Sequence, residues 1–149
     1  MSTRGLMGLK KDNEVKAHYN HFDSYISGLG KDIIETINNI PKSKRVEILS
    51  KAFDNITLVR DNEENYNYLK EYQGNLQAYL NGVVTKMIDN KDFIYDTLFC
   101  EYAYIINLDT KTLDITFGWH DRITKSYDLL DLDYEKIEQE INEIESEEE

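Results

Sequence analysis

The sequence predicts an α+β fold: an antiparallel sheet from two hairpins, at about residues 4–20 and 101–118, packed by several helices, with an acidic helix at the C-terminus. Three observations lead there. Apolar residues alternate at period two around a turn in both hairpin segments; apolar stripes spaced three and four apart fill the stretch between them; and nine acids crowd residues 133–149. No internal repeat or low-complexity linker divides the chain, so residues 1–149 read as one domain, and that length suffices to bury a core.

In the first hairpin, Gly5-Leu6-Met7-Gly8-Leu9 leads into Lys10-Lys11-Asp12-Asn13-Glu14, after which Val15, Ala17 and Tyr19 recur at period two. Asp12-Asn13 suits a tight turn because both residues tolerate positive φ. Ser24, Ser27, Gly28 and Gly30 mark a loop ending where Ile33, Ile34, Ile37 and Ile40 take helical spacing, and Pro41 stops that helix. Ser43 is the expected N-cap of a second helix with Val46, Leu49 and Phe53 on one stripe. Residues 56–59 read as a short strand and 61–72 as a polar helix. Asn75 is expected to cap a helix carrying Leu76, Tyr79, Leu80, Val83, Met87 and Ile88. A short apolar piece, 93–99, precedes the second hairpin, whose strands 101–108 and 113–117 flank Asp109-Thr110-Lys111-Thr112. Residues 127–132 are expected to add an edge strand. Ile137, Ile141 and Ile144 at i, i+4 and i+7 make the last segment amphipathic.

Charge narrows the function. Lys plus Arg total 17 against 29 Asp plus Glu, a formal charge of −12. Residues 133–149 hold nine acids and the single base Lys136, so this tail carries −8 of the −12. Such a surface repels nucleic acid and membrane and attracts basic protein grooves. Direct nucleic-acid binding and membrane association are therefore not expected. One cysteine, Cys100, excludes an internal disulfide and suits a reducing cytoplasm; no stretch resembles a membrane span or a signal peptide.

The densest cluster of reactive side chains is His18-Tyr19-Asn20-His21-Phe22-Asp23-Ser24-Tyr25. If a strand runs through it, Tyr19, His21, Asp23 and Tyr25 share one face, and His18, Asn20 and Phe22 the other. His21 and Asp23 then suit two ligands of a divalent metal, or a base and its orienting carboxylate, with His120, Asp121 or Glu101 completing the set. The alternative is a Tyr/His/Asp hydrogen-bond knot that locks the turn into the first helix. Ser2, exposed by removal of Met1, offers an N-terminal nucleophile. No Gly-x-Ser-x-Gly, Walker or dinucleotide fingerprint is present; Gly28-Leu29-Gly30 lacks the third glycine.

Three blocks occur in order: Ser2-Thr3-Arg4-Gly5 with Gly8; Tyr19-Asn20-His21-Phe22-Asp23-Ser24-Tyr25 with Gly28-Leu29-Gly30; and Gln73-Gly74-Asn75-Leu76-Gln77-Ala78-Tyr79-Leu80 leading to Phe99-Cys100-Glu101-Tyr102-Ala103-Tyr104-Ile105-Ile106-Asn107-Leu108-Asp109. Together they resemble a widespread family of small bacterial and phage proteins of unassigned function, over about residues 2–118. The chain departs at Ile26, where proline is expected, and after Gly118. The resemblance carries over no catalytic residue. A small acidic chain of this kind also resembles phage anti-defence proteins, including anti-CRISPR inhibitors of single-effector nucleases. That resemblance implies an inhibitor acting in the host cytoplasm on a basic nucleic-acid-binding enzyme such as a type II CRISPR effector nuclease. Glu138, Glu145, Glu147, Glu148 and Glu149 would face the partner. The alternative is a metal-binding or hydrolytic enzyme centred on His21 and Asp23.

Overall fold

The computed structural model describes residues 3–118 and 121–147. The first hairpin forms as its turn residues dictate. Strand β1, Gly5–Lys11, pairs antiparallel with β2, Glu14–Asn20, through Asp12 and Asn13 at φ 51° and 66°. The second hairpin, β5 (Tyr102–Asn107) and β6 (Thr112–Phe117), is extended by β7, Ile123–Asp128. The five strands order β2-β1-β5-β6-β7. The fold is α+β, but the sheet is mixed: the two hairpins join through a parallel β1/β5 pair, with Gly5 opposite Tyr102. Residues 21–101 form the crossover a parallel pair needs, and they carry most of the helices over one face.

Helix α1, Lys31–Asn38, buries Ile33, Ile34 and Ile37. Helix α2, Lys42–Asn55, begins after Pro41 rather than at Ser43, and no side chain caps it. Its C-terminal end is held instead by Lys16, whose buried Nζ donates to Phe53 O and Ile56 O at 2.8 and 2.7 Å. A cation at a helix C-terminus satisfies free carbonyls and meets the negative end of the dipole. Strand β3, Thr57–Val59, pairs in parallel with β4, Lys86–Ile88, as a small second sheet.

Helix α3, Glu63–Leu69, is capped by Asn62, and α4, Leu76–Leu80, by Asn75 as expected. The continuous helix expected to reach Ile88 is broken. Gly82 takes φ 72°, Val83 turns out to solvent, and Met87 and Ile88 are buried on β4 instead. The apolar stripe there is genuine, but a left-handed glycine divides it between two kinds of element.

The last helix, α5, Tyr134–Glu147, buries Ile137 and Ile141. The helix-covered face of the sheet supplies Met7, Leu9, Tyr104, Ile106, Leu113 and Phe117 to the main core. The opposite face holds a smaller cluster, Leu6, Ala17, Cys100, Ala103 and Ile105, beneath Phe93 and Ile94. The two hairpin turns are clipped together: Asp12 and Asn13 donate their N–H groups to the Asp109 carboxylate at 2.7 and 3.0 Å, which lowers its pKa.

Candidate functional site

The three sequence blocks converge at one end of the sheet, where β1 and β5 begin and β2 ends. Strand β2 stops at Asn20, whose side-chain Nδ2 donates to Phe22 O and to the buried Ser24 Oγ at 2.7 and 2.8 Å. Ser24 N–H donates to Thr3 O, and Tyr104 OH donates to Ser24 O at 2.8 Å, so the loop is tied to β1 and β5. The turn closes through Leu29 N–H to Asp23 O, with Asp23 at φ 54°. A side chain at Gly28 would place its Cβ 2.2 Å from Asp23 O, so the turn requires glycine there. Gln73 joins this end by accepting the His21 N–H at its Oε1, 3.3 Å away, while Gly74, at φ 70°, lies against Asn20.

The strand does not continue through residues 21–25, so the shared face expected for Tyr19, His21, Asp23 and Tyr25 is not formed by β alternation. They pair locally instead. Tyr19 OH and His21 Nδ1 are 2.6 Å apart, and Tyr25 OH donates to Asp23 Oδ1 at 3.0 Å. The His21 ring meets the edge of Phe22. His21 and Asp23 line a shallow hollow of about 470 Å³ with Asp32, Lys70 and Gln73. Among the described residues, no three His, Cys, Asp or Glu side chains gather as a metal-binding group. Ser2 and His120 lie outside the described residues.

A second cavity, of about 310 Å³, opens beside the edge of β2 and shares Tyr66 and Gln73 with the first. His18 lines it. Register places His18 opposite Met7, on the helix-covered face, with its ring 5.8 Å from that of Tyr79. Its Nε2 is sealed from water and has no hydrogen-bond partner among the described residues. An unpaired buried nitrogen costs about 1–3 kcal/mol. Burial lowers its pKa to about 4, so His18 is a neutral imidazole at physiological pH. Burial likewise raises the Tyr79 phenol, whose OH donates to Lys86 O.

Asn90 closes the edge of β2. Its N–H donates to Ala17 O at 2.9 Å, its Oδ1 accepts the Tyr19 N–H at 3.0 Å, and its Nδ2 donates to Asp61 Oδ2 at 2.9 Å. A side chain thereby supplies the pairing that an edge strand leaves open. Sequence reasoning placed His18 in the 18–25 cluster without a role, and gave none to Asp61, Tyr79 or Asn90. The one available signal was position: His18 alternates with Lys16 and Asn20 on a strand, and three polar side chains on one strand face read as a solvent face until their partners are known.

The acidic helix is anchored partly through its own carboxylates. Tyr102 OH lies 2.9 and 2.8 Å from the two Glu145 oxygens, Tyr127 OH donates to Glu140, and Tyr134 OH donates to Glu138. Burial, then the adjoining carboxylates, raises the pKa of all three phenols. Of the acids expected to face a partner, Glu138 and Glu145 thus also serve the fold; Glu147 is exposed, and Glu148 and Glu149 lie outside the described residues. Cys100 is buried, and burial pushes its thiol up to about 11, which leaves it a packing residue rather than a nucleophile. Among the described residues, no helix is long and apolar enough to cross a membrane. No family model, curated protein or solved structure matches the chain.

Proposed function

We propose that this chain is a phage-type anti-defence protein, related to the family of small bacterial and phage proteins that its sequence blocks resemble. It binds a basic nucleic-acid-handling enzyme in the host cytoplasm, such as a type II CRISPR effector nuclease, and blocks it by competing for its basic groove. One observation carries the reading: helix α5, which holds six glutamates against the single Lys136, is fixed to the body by Ile137 and Ile141, so the carboxylates not bound by tyrosines form a positioned acidic surface. Such a field mainly raises the association rate. Affinity then needs an apolar anchor, and the loop before β5 offers one: Tyr95, Leu98 and Phe99 are 79%, 67% and 47% exposed. The loop leads within three residues into Tyr102, whose OH donates to Glu145 of the acidic helix.

The test is direct binding to a purified type II effector nuclease, with cleavage of target DNA as readout. Replacing Glu147, Glu148 and Glu149 by Gln leaves the tyrosine-bound acids in place. We expect slower association and a flatter salt dependence, with melting temperature unchanged. Unchanged association and salt response would reduce the tail to a solubilising surface. Absence of binding to such nucleases would remove the inhibitor reading and bring forward the alternative, a metal-binding or hydrolytic site on His21 and Asp23. Elemental analysis of untagged protein tests that alternative: less than about one-tenth equivalent of transition metal ends it.

A further inference from the structure

We propose that the cavity beside β2 is a binding site for an amino-bearing nucleobase carried by a free, unphosphorylated nucleoside. The site is independent of the acidic helix. Four aromatic rings, Tyr19, Tyr66, Tyr79 and Phe93, contribute to its walls, and base-on-aromatic stacking needs such planar surfaces. Its volume of about 310 Å³ lies at the small end of ligand sites, which suits a base with its ribose.

The polar groups choose the chemistry. Asp61, Gln73 and Asn90 line the cavity, and neither Lys nor Arg does. A carboxylate accepts hydrogen bonds from an exocyclic amine, and amide side chains match the paired donor and acceptor of a base edge. Capacity is left over for a ligand. Asp61 takes the Asn90 amide on one oxygen, leaving the other. Gln73 uses its Oε1 for His21 N–H, leaving the NH2 group. Among the described residues the lining holds a carboxylate and neither Lys nor Arg, and the one cation close by, Arg4, is already engaged with the Tyr19 hydroxyl, which favours the nucleoside over the nucleotide. The overall charge of −12 likewise disfavours a base presented on a nucleic-acid strand. At the inner wall, His18 stays neutral and its Nε2 unpartnered, so occupation of the cavity should register at that ring.

The experiment is calorimetric titration of the full chain with adenosine, cytidine, uridine, adenosine monophosphate and indole, with imidazole NMR signals followed in parallel. The expected result is saturable binding of adenosine or cytidine that shifts the His18 ring signals. Uridine, which has no exocyclic amine, should bind about tenfold more weakly. The Tyr66→Ala variant removes one wall at a residue 42% exposed, so it should fold normally and bind about tenfold more weakly. Asp61→Asn should narrow the preference for cytidine over uridine, with melting unchanged. The proposal is overturned if no nucleoside gives a saturable response, if the monophosphate binds as tightly as adenosine, or if indole matches the nucleosides. It is also overturned if the shifts spare His18. Nuclease inhibition is not a readout here, so the inhibitor reading and the nucleoside site can fail separately.

Discussion

His18 and His21 stand three residues apart on either side of the end of β2, and their environments are opposite. His18 is on the helix-covered face, sealed against Tyr79, neutral, and without a partner for Nε2 among the described residues. His21 is half-buried on a loop, with Nδ1 against a tyrosine hydroxyl and its N–H on Gln73. The chain between them changes from strand to turn, and that change alone separates a desolvated ring beside a cavity from a ring engaged in local hydrogen bonds. A histidine's chemistry here follows from which backbone element carries it, more than from its sequence neighbours.

The largest expected effect tests the desolvated side. The ordinary pKa of His18 is 6.5, and in the folded protein burial holds it at about 4. Between those two values the unfolded chain binds more protons than the folded one, so stability rises with pH across that window and this group's contribution is level above it. The difference amounts to about 3 kcal/mol. An NMR titration should find His18 neutral until pH approaches 4, and denaturant unfolding should show stability falling as pH drops from 6.5. His21→Ala should keep both features. A His18 midpoint near 6.5 would mean that the ring is hydrated and the contrast with His21 is wrong.

The next effect tests the loop side. Gly28→Ala would place a Cβ 2.2 Å from Asp23 O, and the obstacle is backbone rather than a flexible side-chain end. The turn holding His21 and Asp23 must shift, at a cost of about 2 kcal/mol in urea unfolding. His18 sits on the strand and should keep its titration midpoint. Movement of both histidines would show that the turn and the strand face form one cooperative unit.

The same boundary separates what the sequence reveals from what it hides. Both hairpins are legible because alternation and turn residues are local: Asp12 and Asn13 take the positive φ that their side chains tolerate. The acidic helix is legible from three isoleucines. The parallel β1/β5 pair is not, since it joins residues about a hundred positions apart and nothing local encodes parallel pairing. Helix α4 ends early because Gly82 and the β3/β4 pairing outcompete a helical stripe. His21 and Asp23 stood out as a cluster, but period two assigned them a common strand face that the turn at Asp23 abolishes. The buried setting of His18 stayed hidden for a related reason. Its face also carries Lys16 and Asn20, and those polar groups are buried because α2 carbonyls accept the lysine and loop oxygens accept the amide. Polar residues that bury by finding distant partners leave no periodic trace.

The smallest effect isolates the hydrogen bond that distinguishes His21. Tyr19→Phe removes the hydroxyl 2.6 Å from His21 Nδ1 and keeps the ring that meets Phe93 edge-on at 5.1 Å. Because the pair is only part-buried, water can replace the lost partner, and the expected loss is about 1 kcal/mol. The His21 ring signals should move as Nδ1 exchanges a fixed hydroxyl for solvent. Those of His18 should stay, because its ring lies on the opposite face of β2 from Tyr19. Equal shifts at both histidines would place them in one connected environment and remove the contrast between the two rings.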